Sequence, residues 1–273
     1  NYQALNLYRK HILKEIGTSG TKAVSMTIPK RVFTLEEARP NEKIWEVCII
    51  LKDTKGALAK VANVLTEANV NIKTSSLFYL PGRSGVGSWT SFIDVSRATR
   101  SVSELERKLR SFEVVEDVKF EEPKPAPFES IHFPLLHGET RAVIIPIGMF
   151  WAMWSNFEKI LAPSGLAAVL YDAGNSVGEY VATRLSELYN VKGADIALVA
   201  NQAGKATGWG IIEVSSLNSQ NLTGTVVVRD CFEAAAWRKK HEKACNWTRG
   251  YIAGVMTKVF GRPVEAVEVK CAA

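Results

Sequence analysis

The spacing of hydrophobic residues divides the chain into a first block with a βαββαβ order and a second, longer block of helices and strands. In the first block, the apolar run from Trp45 to Lys52 predicts a central strand. Apolar residues three and four apart between Leu58 and Ala68 predict a helix packed on that strand. The other predicted elements are strands at 71–78, 90–95 and 114–120, and a helix at 101–109 that starts with a capping box.

The second block has a less regular pattern, so its elements are inferred from shorter runs. Helices are predicted at 150–161, 174–185 and 245–259. A break is predicted at Pro163, after the first of these helices. Short apolar or alternating runs predict strands at 142–147, 167–171, 196–199, 208–214, 225–229 and 264–270.

Proline-rich and glycine-rich breaks set the expected domain boundaries. Residues 1–43 are expected to form an N-terminal helix and an extended segment, and residues 44–120 the first domain. Residues 121–129 contain three prolines and are expected to form a stiff linker. Residues 130–273 are expected to form the second domain.

Composition limits the class of protein and its partners. The 273 residues are 47% hydrophobic and 23% charged, which is typical of a globular protein. Apolar runs are shorter than the roughly 20 residues that span a bilayer, so we expect a cytoplasmic protein without a membrane partner. The net charge of +6 permits a polyanionic partner, although the basic run at 237–243 is typical of a solvated helix face.

The first domain resembles the ACT family of regulatory domains. The matching residues are Asp53-x-x-Gly56-x-Leu58-x-x-Val61, followed by Val70-Asn71-Ile72. The resemblance implies a ferredoxin-like βαββαβ fold, a homodimer, and an amino-acid-like effector bound between paired subunits. The implied contacts are Asp53, Lys55, Gly56, Ala57 and Asn71. The alternative is that this domain only dimerises, with Gly56 as a tight-turn residue.

The second domain resembles the 4-vinyl-reductase-like family over its whole length. The matching motifs are Tyr171-x-Ala173-Gly174-x-x-x-Gly178, Gly208-Trp209-Gly210, Cys245-x-Trp247-x-x-Gly250-Tyr251-x-x-Gly254, Gly261-Arg262-Pro263 and Glu268-x-x-Cys271. The resemblance implies an α/β sandwich that encloses an apolar cavity, so the expected fold class is α/β (α+β) for the chain. Members of the family sense aromatic compounds ahead of transcriptional activators, and relatives act in tetrapyrrole biosynthesis.

The same resemblance implies a structural zinc site. Cys245, Glu268 and Cys271 match three of the four ligands in the metal-binding members, and thiolates with a carboxylate suit Zn²⁺. We expect the fourth ligand either from His241, one helical turn before Cys245, or from a residue beyond a clipped C-terminus. The alternative is that the cysteines are reduced and hold no metal.

A set of large aromatic residues is expected to line a pocket for a flat or lipid-like ligand, with core filling as the alternative. The set is Phe150, Trp151, Trp154, Tyr171, Trp209 and Tyr251. The phenol-sensing members hold a hydroxyl with a His and a Trp, where this chain has Ala206 and Val228. An apolar ligand is therefore expected rather than phenol, and no organic cofactor.

The four histidines are scattered and have no partnered nucleophile motif, so we expect a protein that is not an enzyme. The function that explains both domains is a small-molecule sensor, with a hydrophobic ligand in the second domain and an amino-acid-like effector at the first. One alternative is a DNA- or RNA-binding regulator that uses its basic surface. A further alternative is an accessory protein of a tetrapyrrole-related reductase.

Overall fold

The computed structural model describes residue 39 and residues 41–80, 82–123, 128–129, 131–137, 140–237 and 245–271. The chain separates into two compact units, 1–142 and 143–273. The predicted N-terminal helix, part of the predicted linker and His241 lie outside the described residues. None of the helices within the described ranges combines the length and the hydropathy that a membrane span requires.

The first unit has the predicted βαββαβ order, and its elements lie close to their predicted positions. They are β1 (Ile44–Lys52), α1 (Ala57–Glu67), β2 (Asn71–Tyr79), β3 (Val86–Asp94), α2 (Val102–Arg110) and β4 (Val115–Glu121). The strands form an antiparallel sheet in the order β2-β3-β1-β4. A short hairpin, β5 (Leu136–His137) and β6 (Thr140–Arg141), follows in the same unit. The α+β class is confirmed.

One face of this sheet and the two helices enclose the apolar core. Val47, Ile49 and Leu51 alternate along β1 and are buried among residues of α1 and α2. The capping box at Ser101 and Glu104 is present, since each side chain bonds the other's backbone N–H. Before α1, Gly56 has φ of 82°, a left-handed conformation that glycine adopts without steric cost.

The opposite face of the sheet is polar and is covered by residues 131–132. Glu46 is fully buried on β1, and the Ile131 N–H donates to both of its carboxylate oxygens at 3.3 Å. His132 hydrogen-bonds Thr90, and the hydrogen bond with Cys48 raises the pKa of His132. These bonds fix the chain that follows β4 against the sheet.

The second unit consists mainly of helices with one antiparallel hairpin. The helices are α3 (Ile147–Ile160), α4 (Pro163–Leu188), α5 (Ala194–Ala206), α6 (Phe232–Trp237) and α7 (Asn246–Phe260). The hairpin strands are β7 (Ile211–Asn218) and β8 (Thr223–Arg229). Helices α3 and α7 and both hairpin strands confirm sequence predictions, with small shifts of their ends.

Three predicted strands of the second unit are wrong. Residues 167–171 lie inside α4, residues 196–199 lie inside α5, and residues 142–146 are not in a strand. Pro163 begins α4 rather than breaking the structure, because proline is well suited to the first position of a helix. Short apolar runs do not distinguish a buried helix segment from a buried strand, and tertiary packing decided in favour of helix.

The predicted last strand, 264–270, is an extended segment without a strand ladder. Its alternate backbone N–H groups bond side-chain oxygens: Val264 N donates to Thr257 Oγ1 at 3.2 Å, and Ala266 N to the Tyr171 hydroxyl at 3.3 Å. Further along the segment, Val267 and Val269 are 72% and 84% exposed. The alternation predicted from the sequence is therefore real, although its hydrogen-bond partners are side chains of α4 and α7.

Helices α4 and α7 pack with their backbones almost in contact. A Cβ atom added to Gly174 or Gly178 would lie well inside 3.0 Å of α7 backbone atoms. The same holds for Gly250 and Gly254 against the backbone of α4. Both helices thus carry a Gly-x-x-x-Gly face, and any side chain on it would force them apart.

We predict that Gly178→Ala destabilises the second unit by at least about 3 kcal/mol, because its methyl group would meet backbone that cannot move aside. Urea unfolding followed by tryptophan fluorescence measures this change. The matched control is Gly148→Ala on α3, where an added Cβ has nothing within 4 Å. That change is expected to alter stability by less than about 1 kcal/mol, and equal losses in both variants would contradict the close packing.

Candidate functional site

A cavity of about 960 Å³ lies in the second unit between the β7–β8 hairpin, α7 and the extended segment 264–271. Its wall is largely apolar on the hairpin and along α7, and polar near the start of α7. Apolar wall residues are Leu217, Leu222, Val226, Val228, Ile252, Ala253, Met256, Phe260 and Val264. Such a volume with few polar groups is typical of a small-molecule pocket.

Strand β8 shows how the sequence builds this wall. Val226 and Val228 line the cavity, whereas Val227 between them is 39% exposed and is not part of the wall. This is the period-two alternation of a strand. On α7, Ile252, Met256 and Phe260 are spaced four residues apart and therefore lie on one helical face towards the cavity.

The polar end of the cavity contains the predicted metal-binding residues. The Cys245 and Cys271 sulfurs and a Glu268 carboxylate oxygen all lie within 4.8 Å of one another. Cys245 immediately precedes α7, and its N–H donates to Glu268 Oε2 at 3.4 Å. Two thiolates and a carboxylate at this separation could hold Zn²⁺ after small side-chain movements, because two sulfurs on a tetrahedral zinc are about 3.8 Å apart. His241 lies outside the described residues, so its predicted role is not addressed.

The sequence analysis missed Cys231, which lies directly after β8. Its sulfur is 3.8 Å from the Cys245 sulfur and 3.3 Å from Thr248 Oγ1. Hydrogen bonding with Cys245 is the largest cause that lowers the pKa of Cys231, which falls to about 6. The same interaction raises the pKa of Cys245, since one thiol of the pair keeps its proton. No spacing motif marked Cys231, and its position 14 residues before Cys245 was the available signal.

Glu233, also missed, holds the start of α7. This fully buried carboxylate accepts hydrogen bonds from Trp247 N at 2.9 Å and Thr248 N at 2.7 Å. It therefore satisfies two free N–H groups in the first turn of α7. Burial raises the pKa of Glu233 to about 7, although these hydrogen bonds favour the charged form. Glu233 thereby fixes the position of α7 directly after Cys245.

The residues predicted to line the pocket lie elsewhere. Phe150, Trp154, Trp209 and Tyr251 belong to a continuous aromatic cluster with Trp237, Phe232 and Trp247, whose neighbouring ring centroids are 4.5–6.0 Å apart. None of the six predicted residues is among those that form the wall of the 960 Å³ cavity. Burial raises the pKa of Tyr251 to about 12, in keeping with a core position.

The other two members of that predicted set have separate positions. Trp151 is exposed on α3. Tyr171 lies on α4, where its hydroxyl accepts the hydrogen bond from Ala266 N and its ring lies 4.7 Å from the Arg249 guanidinium. Tyr171 therefore supports the cavity from outside, because it holds the extended segment that forms one wall.

The predicted effector residues of the first unit form two separate groups. Asn71 opens β2 and is paired with Asp94, which is also paired with Ile44 at the start of β1. Asp53 to Ala57 follow the other end of β1, where Asp53 N donates to Gly85 O at 2.8 Å. The length of the nine-residue β1 thus separates Asn71 from Gly56, roughly 30 Å at the usual rise per residue. One chain does not bring these residues together.

Comparison with known proteins gives similarities for both units. The 4-vinyl-reductase domain family matches residues 225–273. An uncharacterized protein of Methanocaldococcus jannaschii is 26% identical over 128 residues, which are 47% of this chain and 69% of the relative.

Among solved structures, the phenol-responsive sensory domain of the transcription activator PoxR with phenol has a TM-score of 0.44 at 15% identity, covering 49% of this chain and 71% of its own. The ACT domain of GTP pyrophosphokinase from Chlorobium tepidum has a TM-score of 0.24 at 20% identity, covering 29% and 99%.

We predict that the reduced protein binds one Zn²⁺ per chain and that Cys245→Ser or Cys271→Ser lowers the affinity at least about tenfold, because each removes a thiolate ligand. Titration against a colorimetric zinc chelator measures the affinity. Cys48→Ser is the control, since Cys48 lies in the sheet of the first unit beside Ser88. Equal affinity in wild type and Cys245→Ser would contradict the assignment.

A second prediction concerns pH in the metal-free protein. The pKa of Glu233 is about 7 in the folded state and near 4.5 when unfolded, so the folded state binds the proton more tightly. Its contribution to stability is complete below pH 4.5 and is lost as pH rises through 7, a change of about 3 kcal/mol. Glu233→Gln lacks this titration, so its stability difference from wild type should change by that amount over this range. A pH-independent difference in urea unfolding would contradict the assignment.

Proposed function

We propose that this chain is a non-catalytic regulatory protein that senses a small apolar molecule in the cavity of its second unit. The observation that carries the proposal is the cavity itself, about 960 Å³ in volume and walled by β7, β8, α7 and the extended segment. The match to the 4-vinyl-reductase domain family supports it, because residues 225–273 include β8, α7 and that segment.

The wall selects the chemical class of the ligand. Branched and aliphatic side chains cover the hairpin and α7, and they favour a largely apolar molecule through burial of its surface. The polar groups gather at one end, near Thr248 and Arg249. A ligand with an apolar body and one polar or anionic end matches this arrangement best.

The zinc site completes the pocket in this proposal. Glu268 and Cys271 lie on the extended segment, and Cys245 lies at the start of α7. A metal held by these three residues would tie the segment to the helix and so fix one wall of the cavity. The bound Zn²⁺ supplies a structural cross-link. The donor set is at the cavity's polar end, where Cys245 N already bonds Glu268.

The same wall supports the absence of catalysis. Among the described residues that line the cavity, none is a histidine, and the Cys245 and Cys271 thiols lie beside Glu268 in a metal-binding arrangement. A general base next to a nucleophile is the usual requirement for covalent catalysis. The histidine whose pKa is raised, His132, lies in the first unit.

For the first unit we propose that a polar, amino-acid-like effector binds only in a homodimer. Gly56 and Asn71 lie at opposite ends of the sheet of one chain, so a second copy is needed to place both groups beside one ligand. The free N–H groups of the first turn of α1 would favour a carboxylate. This role is regulatory, and it is separate from the apolar cavity.

We predict that Val228→Trp abolishes binding of a neutral lipophilic fluorophore such as Nile red, because the indole fills the cavity from β8. Fluorescence titration should show affinity lowered at least about tenfold relative to wild type.

Val227→Trp is the matched control on the same strand, since Val227 is exposed and outside the cavity wall. It should retain binding within about twofold. Urea unfolding of both variants establishes that they are folded. Unchanged dye binding in a folded Val228→Trp protein would contradict the proposed ligand site.

A further inference from the structure

Cys231 and Cys245 bring two free thiols together at the edge of the cavity. Their sulfurs are 3.8 Å apart, and both residues are part of the cavity wall. Cys245 also belongs to the group with Glu268 and Cys271, whereas Cys231 does not. Cys245 is therefore shared between a thiol pair and the set of metal-binding groups.

We propose that Cys231 and Cys245 are an oxidation site at which a hydroperoxide forms a reversible disulfide. The disulfide takes Cys245 out of the group with Glu268 and Cys271, so oxidation weakens zinc binding. This consequence rests on the proposed zinc site, whereas formation of the disulfide does not.

The reaction balances in two steps. One thiolate attacks the peroxide, so that an S–O bond forms, the O–O bond breaks, and the departing oxygen takes a proton as water or an alcohol. The second thiolate then attacks the sulfenic sulfur, so that the S–S bond forms, the S–O bond breaks, and the oxygen leaves as water. The two thiols lose two electrons and two protons, and the peroxide accepts them.

The geometry requires little movement. A disulfide has an S–S distance of about 2.05 Å, so the two sulfurs must approach by a little under 2 Å, which is within reach of side-chain rotation. Both cysteines lie at the ends of elements: Cys231 follows the turn residue Asp230, with φ of 50°, and Cys245 precedes α7. The bond can form without moving the glycine face of α7 away from α4.

The position at the cavity gives the oxidant a path. Cys231 and Cys245 share the cavity wall with Thr248 and Arg249, and a small peroxide fits a space of this volume. Cys48 provides a contrast, because it is buried in the sheet of the first unit with Ser88 and His132. We therefore expect oxidation to select the Cys231–Cys245 pair.

The test uses the full chain, reduced and freed of metal, then treated with a small excess of hydrogen peroxide. Intact mass should fall by two hydrogen atoms, and peptide mapping after alkylation should join Cys231 to Cys245 and leave Cys48 and Cys271 alkylated. Dithiothreitol should restore the mass. A Cys245–Cys271 bond, or over-oxidation without any disulfide, would overturn the proposal.

Zinc titration of the same samples tests the consequence. The oxidised protein should bind Zn²⁺ at least about tenfold more weakly than the reduced protein. In Cys231→Ser, peroxide should weaken zinc binding less than in wild type, and Cys48→Ser should behave like wild type. Equal zinc affinity before and after disulfide formation would overturn the link to the metal site. If the reduced protein binds no zinc but the disulfide forms, the zinc proposal fails and the oxidation site stands.

Discussion

The second unit depends on the close contact between α4 and α7, which four glycines make possible. Gly174 and Gly178 on one helix face Gly250 and Gly254 on the other, and backbone meets backbone over two turns. A helix held this closely has little freedom to tilt or slide. Every other part of the candidate site is positioned relative to α7, so this contact sets its geometry.

Helix α7 then assigns a different task to each of its faces. Trp247 and Tyr251 join the aromatic cluster, Ile252 and Met256 line the cavity, and the residue before its first turn is Cys245. Glu233 satisfies the first N–H groups of the helix, and Thr257 holds the extended segment at Val264. The cavity wall, the thiols and the carboxylate of Glu268 are thus connected to one rigid element.

Sequence analysis predicted the first unit well, because its strands alternate clearly and its helices carry capping and turn residues such as Ser101 and Gly56. In the second unit, short apolar runs at 167–171 and 196–199 were assigned to strands, although they lie in long helices. The motif containing Cys245, Glu268 and Cys271 brought together three groups far apart in sequence. The aromatic residues fill the core instead, because size and hydrophobicity alone do not distinguish a pocket wall from a core. Cys231 and Glu233 belong to no motif, and their roles follow from packing around α7.

The central claim is that the second unit holds an apolar small molecule in its cavity, and native mass spectrometry of protein purified without a chelator tests it most directly. The account predicts a species heavier than the chain by one small organic molecule, which denaturation releases and solvent extraction identifies as largely apolar. The Val228→Trp protein should lack this added mass. A wild-type protein without added mass, both as purified and after incubation with Nile red, would contradict the account.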